Sequence, residues 1–266
     1  MTSSAPIGVL DSGVGGLSLL PALRTQLPQE NLHYVADSGH APYGDRCASW
    51  ITERSARIIQ FLERQGCKAV VIACNTITAV AVSALRQRFE IPIIAIEPAI
   101  KPAVAMSRSR VIAVLATTRT LDSESLRQLR QRHGDDCRVL FVPCPGLADH
   151  VENGDLHSPG LRARLRDLLA VPLEQGADTL VLGCTHYPFL IDAIAETAGQ
   201  GVHILDPSPA VAAEVRRRLA NGGVLNSADE QGTLTLWSSA PGVEARRLAG
   251  HLAGSDTPAR PLPDLP

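Results

Sequence analysis

Gln65-Gly-Cys-Lys-Ala-Val-Val-Ile-Ala-Cys74-Asn-Thr76 recurs, in its essentials, as Gln175-Gly-Ala-Asp-Thr-Leu-Val-Leu-Gly-Cys184-Thr-His186, with a constant offset of 110 positions. Each copy opens on a Gln-Gly turn, continues as a short apolar run and ends in a small residue and a cysteine. An apolar run of that length bounded by turn residues predicts a strand buried on both faces. The correspondence extends outward from this pair. Ile7-Gly-Val-Leu10 matches Ile112-Ala-Val-Leu115 at an offset of 105, and Leu32 to Asp37 matches Arg138 to Pro143 at 106. Ile96-Glu-Pro98 matches Leu205-Asp-Pro207 at 109. Four strands recurring in one order point to a duplicated unit.

Helical patterns fill the gaps. Leu17 to Gln26, Trp50 to Arg64 (with Ile51, Ile58, Ile59 and Leu62 on one face) and Thr76 to Arg88 have the spacing of helices. Strands alternating with helices predict parallel sheets covered on both sides. The expected fold class is α/β: two similar domains related by a pseudo-two-fold, each a mainly parallel sheet flanked by helices, with the active site in the cleft between them. Residues 1–98 plus 208–254 are expected to form the first domain and residues 99–207 the second. A helix at Ala210 to Ala220, a strand at Thr233 to Ser238 and a helix at Val243 to Leu252 have no counterpart in the other half. They are expected to return to the first domain. The Pro-rich segment 255–266 is expected to be a disordered tail.

Composition narrows the function. Of 266 residues 45% are hydrophobic, enough for a real core. The net charge of −2 and only 3% aromatics argue against a nucleic-acid partner. Met1 to Pro6 lacks the pattern of a signal peptide, and no apolar run reaches membrane-spanning length, so a cytoplasmic protein with no membrane partner is expected. Six cysteines without a C-x-x-C pair are expected to be reduced thiols, fillers or chemistry, and no metal is expected.

The chemistry-bearing residues fall where the strands end: Asp11-Ser12, Cys74-Asn75-Thr76, Thr117-Thr118 and Cys184-Thr185-His186. Open parallel sheets bind ligands beyond those ends, and the helices that follow offer unpaired N–H groups to anions. Equivalence under the repeat would set Cys74 and Cys184 face to face across the cleft. Inversion of an α-carbon removes a proton from one side and returns one to the other, which two opposed thiols can do. His186 is placed to favour a thiolate at Cys184. Asp11 suits a proton relay or the substrate ammonium, since a carboxylate beside Cys74 raises a thiol pKa. Ser12, Asn75, Thr76 and Thr185 offer donors to an α-carboxylate. Tyr43 and Gly44, in Pro42-Tyr43-Gly44, offer an O–H and an N–H to a second carboxylate. The only lysines, Lys68 and Lys101, lie away from the strand ends, so a pyridoxal Schiff base is not expected and no cofactor is assigned. The other seven histidines have no partner legible in the sequence.

Plainer readings stand beside these. Either cysteine alone fits a core filler. Asp11-Ser12-Gly13 fits a capped turn. Gly13-Val-Gly15-Gly16 resembles a phosphate loop but lacks the final glycine of G-x-G-x-x-G. A hydrolase using Cys184 and His186, or a metal held by Cys74, Cys184 and His186, remain alternatives.

Gly8-Val-Leu-Asp11-Ser12-Gly-Val-Gly-Gly16, Ala41-Pro-Tyr43-Gly44, Ala73-Cys74-Asn75-Thr76, Ile96-Glu97-Pro98 and Leu182-Gly-Cys184-Thr185-His186-Tyr-Pro-Phe-Leu190 together resemble the glutamate racemases of the aspartate/glutamate racemase superfamily. The likeness runs from about Ile7 to Leu219. It implies a cofactor-independent isomerase in which Cys74 and Cys184 are the two bases, with Asp11 and His186 also catalytic. It implies that Asp11, Ser12, Tyr43, Gly44, Asn75, Thr76, Thr185 and His186 bind glutamate. Thr117, Thr118, Thr120 and Glu152 fall where the family pattern is followed more loosely and are second-tier candidates. The resemblance also implies D-glutamate supply for peptidoglycan and cell wall biogenesis, hence a role in cell shape, and a homodimer. A related enzyme for aspartate or another acidic amino acid is the nearest alternative.

Overall fold

A computed structural model describes residues 3–133 and 137–265 of the chain. Among the described residues ten strands run in chain order: β1 (Ile7–Asp11), β2 (Leu32–Ala36), β3 (Ala69–Ile72), β4 (Ile93–Ala95), β5 (Val111–Ala116), β6 (Arg138–Pro143), β7 (Thr179–Leu182), β8 (His203–Leu205), β9 (Leu234–Ser238) and β10 (Arg260–Pro261). They form two sheets, ordered β10-β9-β2-β1-β3-β4 and β6-β5-β7-β8. Every pairing is parallel. Helices cover the sheets, so β1 and β3 are buried along their whole length, as their unbroken apolar runs require.

The order β2-β1-β3-β4 in the first sheet is the order β6-β5-β7-β8 in the second, and the register refines the repeat. Ile7 pairs with Ala69 and Ile112 with Thr179, which preserves the offsets of 105 and 110. Elsewhere the sequence match is slipped. Ile7 pairs with Leu32 and Ile112 with Val139, so β2 maps onto β6 at 107, not 106. Val70 pairs with Ile93 and Leu180 with Ile204, so β4 maps onto β8 at 111, not 109. A one-residue slip would set buried Leu32 against exposed Arg138, and pleating forbids that exchange of faces.

β9 lies beside β2, so the segment after the second sheet does return to the first. The tail departs from expectation. Arg260–Pro261 pairs with β9, the Leu262 N–H donates to the Ser238 carbonyl at 2.8 Å, and Leu265 is buried in an apolar cluster with Phe61 and Trp237. Proline is tolerated there because β10 is an edge strand. The expected helix from Leu17 is also divided, into a 3-10 turn at Gly15–Leu19 and an α-helix at Leu20–Gln26 with Pro21 in its first turn.

One apolar cluster spans both halves, from Ile7, Val9 and Val71 of the first sheet to Ala113, Leu115 and Leu180 of the second. The floor between the sheets is therefore packed core. Among the described residues no helix is long and apolar enough to cross a membrane.

Candidate active site

Cys74 follows β3 and caps the helix Asn75–Arg88. Cys184 follows β7 and precedes the 3-10 turn Tyr187–Leu190. Both thiols line one cleft that encloses about 440 Å³ of atom-free space, open solvent included. Only 5% of Cys74 and 8% of Cys184 is exposed, so both thiols sit deep in the cleft. Ser12, Tyr43, Gly44, Asn75, Thr76, Thr117, Glu152, Thr185 and His186 also line it.

The surroundings of the two thiols differ. Cys184 Sγ lies 3.6 Å from His186 Nδ1, and His186 Nε2 lies 2.6 Å from Glu152 Oε1. Burial alone pushes the imidazole pKa down, but the bonds to Cys184 and Glu152 prevail and hold it well above the usual value. Burial likewise opposes the charge on Glu152, and its bond to His186 and the Val14 N–H outweigh that. On the other wall Cys74 Sγ lies 3.3 Å from Ser12 Oγ. Burial and then the Asp11 carboxylate push the Cys74 thiol up to about 12.

Asp11 is fully buried and does not line the cleft. Its Oδ1 accepts from the Gly13 N–H at 2.8 Å and its Oδ2 from the Thr185 hydroxyl at 2.9 Å. Burial raises it to about 6, against the lowering influence of His186. Direct contact with a ligand, as expected from the sequence, gives way to a place beneath the wall. Asp11 there ties the Ser12 side of the site to the Thr185 side.

Two glycines let the halves close on each other. A Cβ on Gly15 would collide with His186 Nδ1 and with Thr185 Oγ1, and one on Gly13 would collide with Glu152 Oε1. The glycine loop is therefore a seat for His186 and Glu152, which explains its composition without a phosphate.

Other expectations need correcting. The Tyr43 hydroxyl donates to Asp37 Oδ2 at 2.5 Å and is not free for a second carboxylate. Thr118 is exposed and lies off the cleft. Thr120 is buried behind it, its Oγ1 3.0 Å from Thr117 Oγ1, so Thr117 is the threonine of that group that reaches the wall. His40 and His150 do have partners, Asp37 at 3.1 Å and Asp155 at 2.7 Å. The His133 side chain lies outside the described residues. Lys68 pairs with Glu30 at 2.6 Å, and neither lysine lines the cleft.

The profile of the Asp/Glu/Hydantoin racemase family matches residues 7–215. The chain belongs to that family. This racemase is 49% identical to the glutamate racemase of Methylococcus capsulatus over 258 residues, 97% of this chain and 95% of that protein. It superposes on the glutamate racemase of Francisella tularensis in complex with D-glutamate with a TM-score of 0.85 at 26% identity, covering 99% of this chain and 98% of that one. It superposes equally well, at 0.85 and 27% identity, on the Escherichia coli glutamate racemase in complex with L-glutamate and the activator UDP-MurNAc-Ala, covering 97% of this chain and 98% of that one.

The racemase site contains residues the sequence reading missed. Asp37 accepts from Arg54 at 2.6 and 2.8 Å as well as from Tyr43, and these bonds hold its carboxyl below the usual range against the effect of burial. This pair anchors the segment Ala41 to Gly44 that forms one wall. Asp37 follows β2 directly, so the strand-end rule could have found it. Ala148 and Asp149, on the helix Leu147–Glu152, line the opposite wall and carried no signal beyond their nearness to Glu152.

Proposed function

We propose that this chain is a glutamate racemase that inverts the α-carbon with Cys74 and Cys184 as paired acid and base. The observation that carries the reading is one cleft lined by two cysteines that the internal repeat places at equivalent strand ends. The related enzymes with bound L- and D-glutamate support the substrate.

In this reading the substrate α-carboxylate meets the N-terminus of the helix Asn75–Arg88, with Asn75 and Thr76 as donors, the Thr185 hydroxyl being held by Asp11. Charge that develops on the carboxylate as the α-proton leaves is met by the same donors. The Gly44 N–H, in place of the Tyr43 hydroxyl, receives the distal carboxylate. At rest Cys74 carries its proton, because burial and Asp11 disfavour its anion. In this direction Cys184, 3.6 Å from His186 Nδ1, serves as the base. Cys184 then takes the α-proton from one face while the Cys74 thiol delivers its own proton to the other. Cys184 ends as thiol and Cys74 as thiolate, which is the starting state for the opposite enantiomer. The substrate ammonium offsets the charge that Cys74 acquires.

Each single substitution, Cys74→Ala and Cys184→Ala, removes one face of the exchange. Circular dichroism of L- and D-glutamate solutions should show racemisation lowered at least about a thousandfold in both variants. Retention of near wild-type rates by either variant contradicts the assignment. The same reading carries supply of D-glutamate for peptidoglycan synthesis by a cytoplasmic homodimer. D-glutamate auxotrophy on depletion of the protein tests the first part, and sedimentation of the purified chain tests the second.

A further inference from the structure

Behind the cleft wall lies a smaller chamber. Asn75 borders both spaces, and Thr78, Thr120, Ser123 and Leu126 border the chamber alone. The chamber encloses about 240 Å³ of atom-free space, open solvent included, against the 440 Å³ of the cleft. That leaves room for a water among the side chains that line it.

Three buried side-chain atoms of these lining residues have no hydrogen-bond partner: Asn75 Oδ1, Asn75 Nδ2 and Thr78 Oγ1. Both residues are 4% exposed. They stand three apart on one helix and so share a face. Two further hydroxyls of the lining, those of Thr120 and Ser123, are committed. Thr120 Oγ1 lies 3.0 Å from Thr117 Oγ1, and the Ser123 hydroxyl donates to the Thr120 carbonyl at 2.7 Å. Buried amides and hydroxyls are satisfied as a rule, and a pocket beside two such groups is where a structural water resides.

We propose that one water occupies this chamber, accepting from the Thr78 hydroxyl and donating to Asn75 Oδ1, and that Thr78 is thereby a positioning residue for the Asn75 amide. The proposal rests on the reading that this amide meets the substrate carboxylate. An amide that receives a donor on its oxygen from behind turns its NH2 group toward the cleft. Thr78 itself touches no substrate. It fixes which end of Asn75 faces the carboxylate, an orientation that helix geometry alone leaves open.

The test uses the full-length chain with Thr78→Val, which keeps the shape and removes the hydroxyl, and Thr78→Ser, which restores it. A high-resolution crystal structure of the wild type should place an ordered water within hydrogen-bond distance of Asn75 Oδ1 and Thr78 Oγ1. Thr78→Val should lower the melting temperature, because it strands the water and the amide. An idle buried hydroxyl replaced by methyl would raise it. The KM for glutamate should rise about tenfold in Thr78→Val with kcat within about twofold, and Thr78→Ser should recover wild-type KM. Absence of that water, a raised melting temperature or an unchanged KM overturns the proposal. The density and the melting temperature are read without any turnover, so they separate failure of this assignment from failure of the racemase reading.

Discussion

Asp11 carries its carboxyl in full burial, close enough to the Cys74 thiol to raise that thiol's pKa. Its rise from the ordinary 3.8 to about 6 means that the folded protein holds that proton more tightly than the unfolded chain does. The associated stability is complete below pH 4 and is lost as pH rises through 6, a change of roughly 3 kcal/mol. Asp11→Asn is neutral throughout. Urea unfolding should therefore show the variant gaining on the wild type by that order between pH 4 and pH 8, and a difference independent of pH would contradict it. At this scale the cysteine pair was legible because the repeat wrote it twice. The fate of the Tyr43 hydroxyl was not, because its partner Asp37 is fixed by Arg54, a residue on a separate helix. No local pattern connects those three side chains.

The strands could be read as elements because burial on both faces leaves continuous apolar runs between turns. Their register could not be read as well. Matching Glu97-Pro98 after β4 to Asp206-Pro207 after β8 aligned similar letters, whereas pairing follows the pleat. The glycine loop was legible as a loop, but its purpose depends on side chains more than 130 positions away in the sequence. A Gly15→Ala methyl would drive into His186 and Thr185. It should lower kcat/KM about a hundredfold through misplacement of His186 against Cys184, with the far-ultraviolet circular dichroism unchanged. A variant with normal kinetics would show that the close approach is not needed.

The whole molecule is two parallel sheets that share one apolar cluster, so the cleft walls rest on a continuous core. The return of β9 to the first sheet was legible from the lack of a counterpart in the other half. The ordered end of the chain was not, because a Pro-rich composition conceals two leucines, Leu262 and Leu265, that pack against the helix Ala48–Arg64 side of the sheet with Phe61 and Trp237. Truncation after Thr257 removes β10 and both leucines. It should cost about 2–4 kcal/mol of unfolding free energy and leave kcat near the wild-type value, since none of these residues borders the cleft. An unchanged urea midpoint would return the tail to the status of a loose end.

Opposed thiols that exchange protons through one carbon leave an isotopic record. Glutamate of a single handedness, protiated at the α-carbon, is incubated with the enzyme in D₂O, and mass spectra of both enantiomers are taken over the first few per cent of conversion. The account predicts that the newly formed enantiomer carries solvent deuterium while the remaining starting enantiomer stays protiated. Product that keeps the original hydrogen, or deuterium appearing in the starting enantiomer without inversion, would place a single base at the carbon and contradict it.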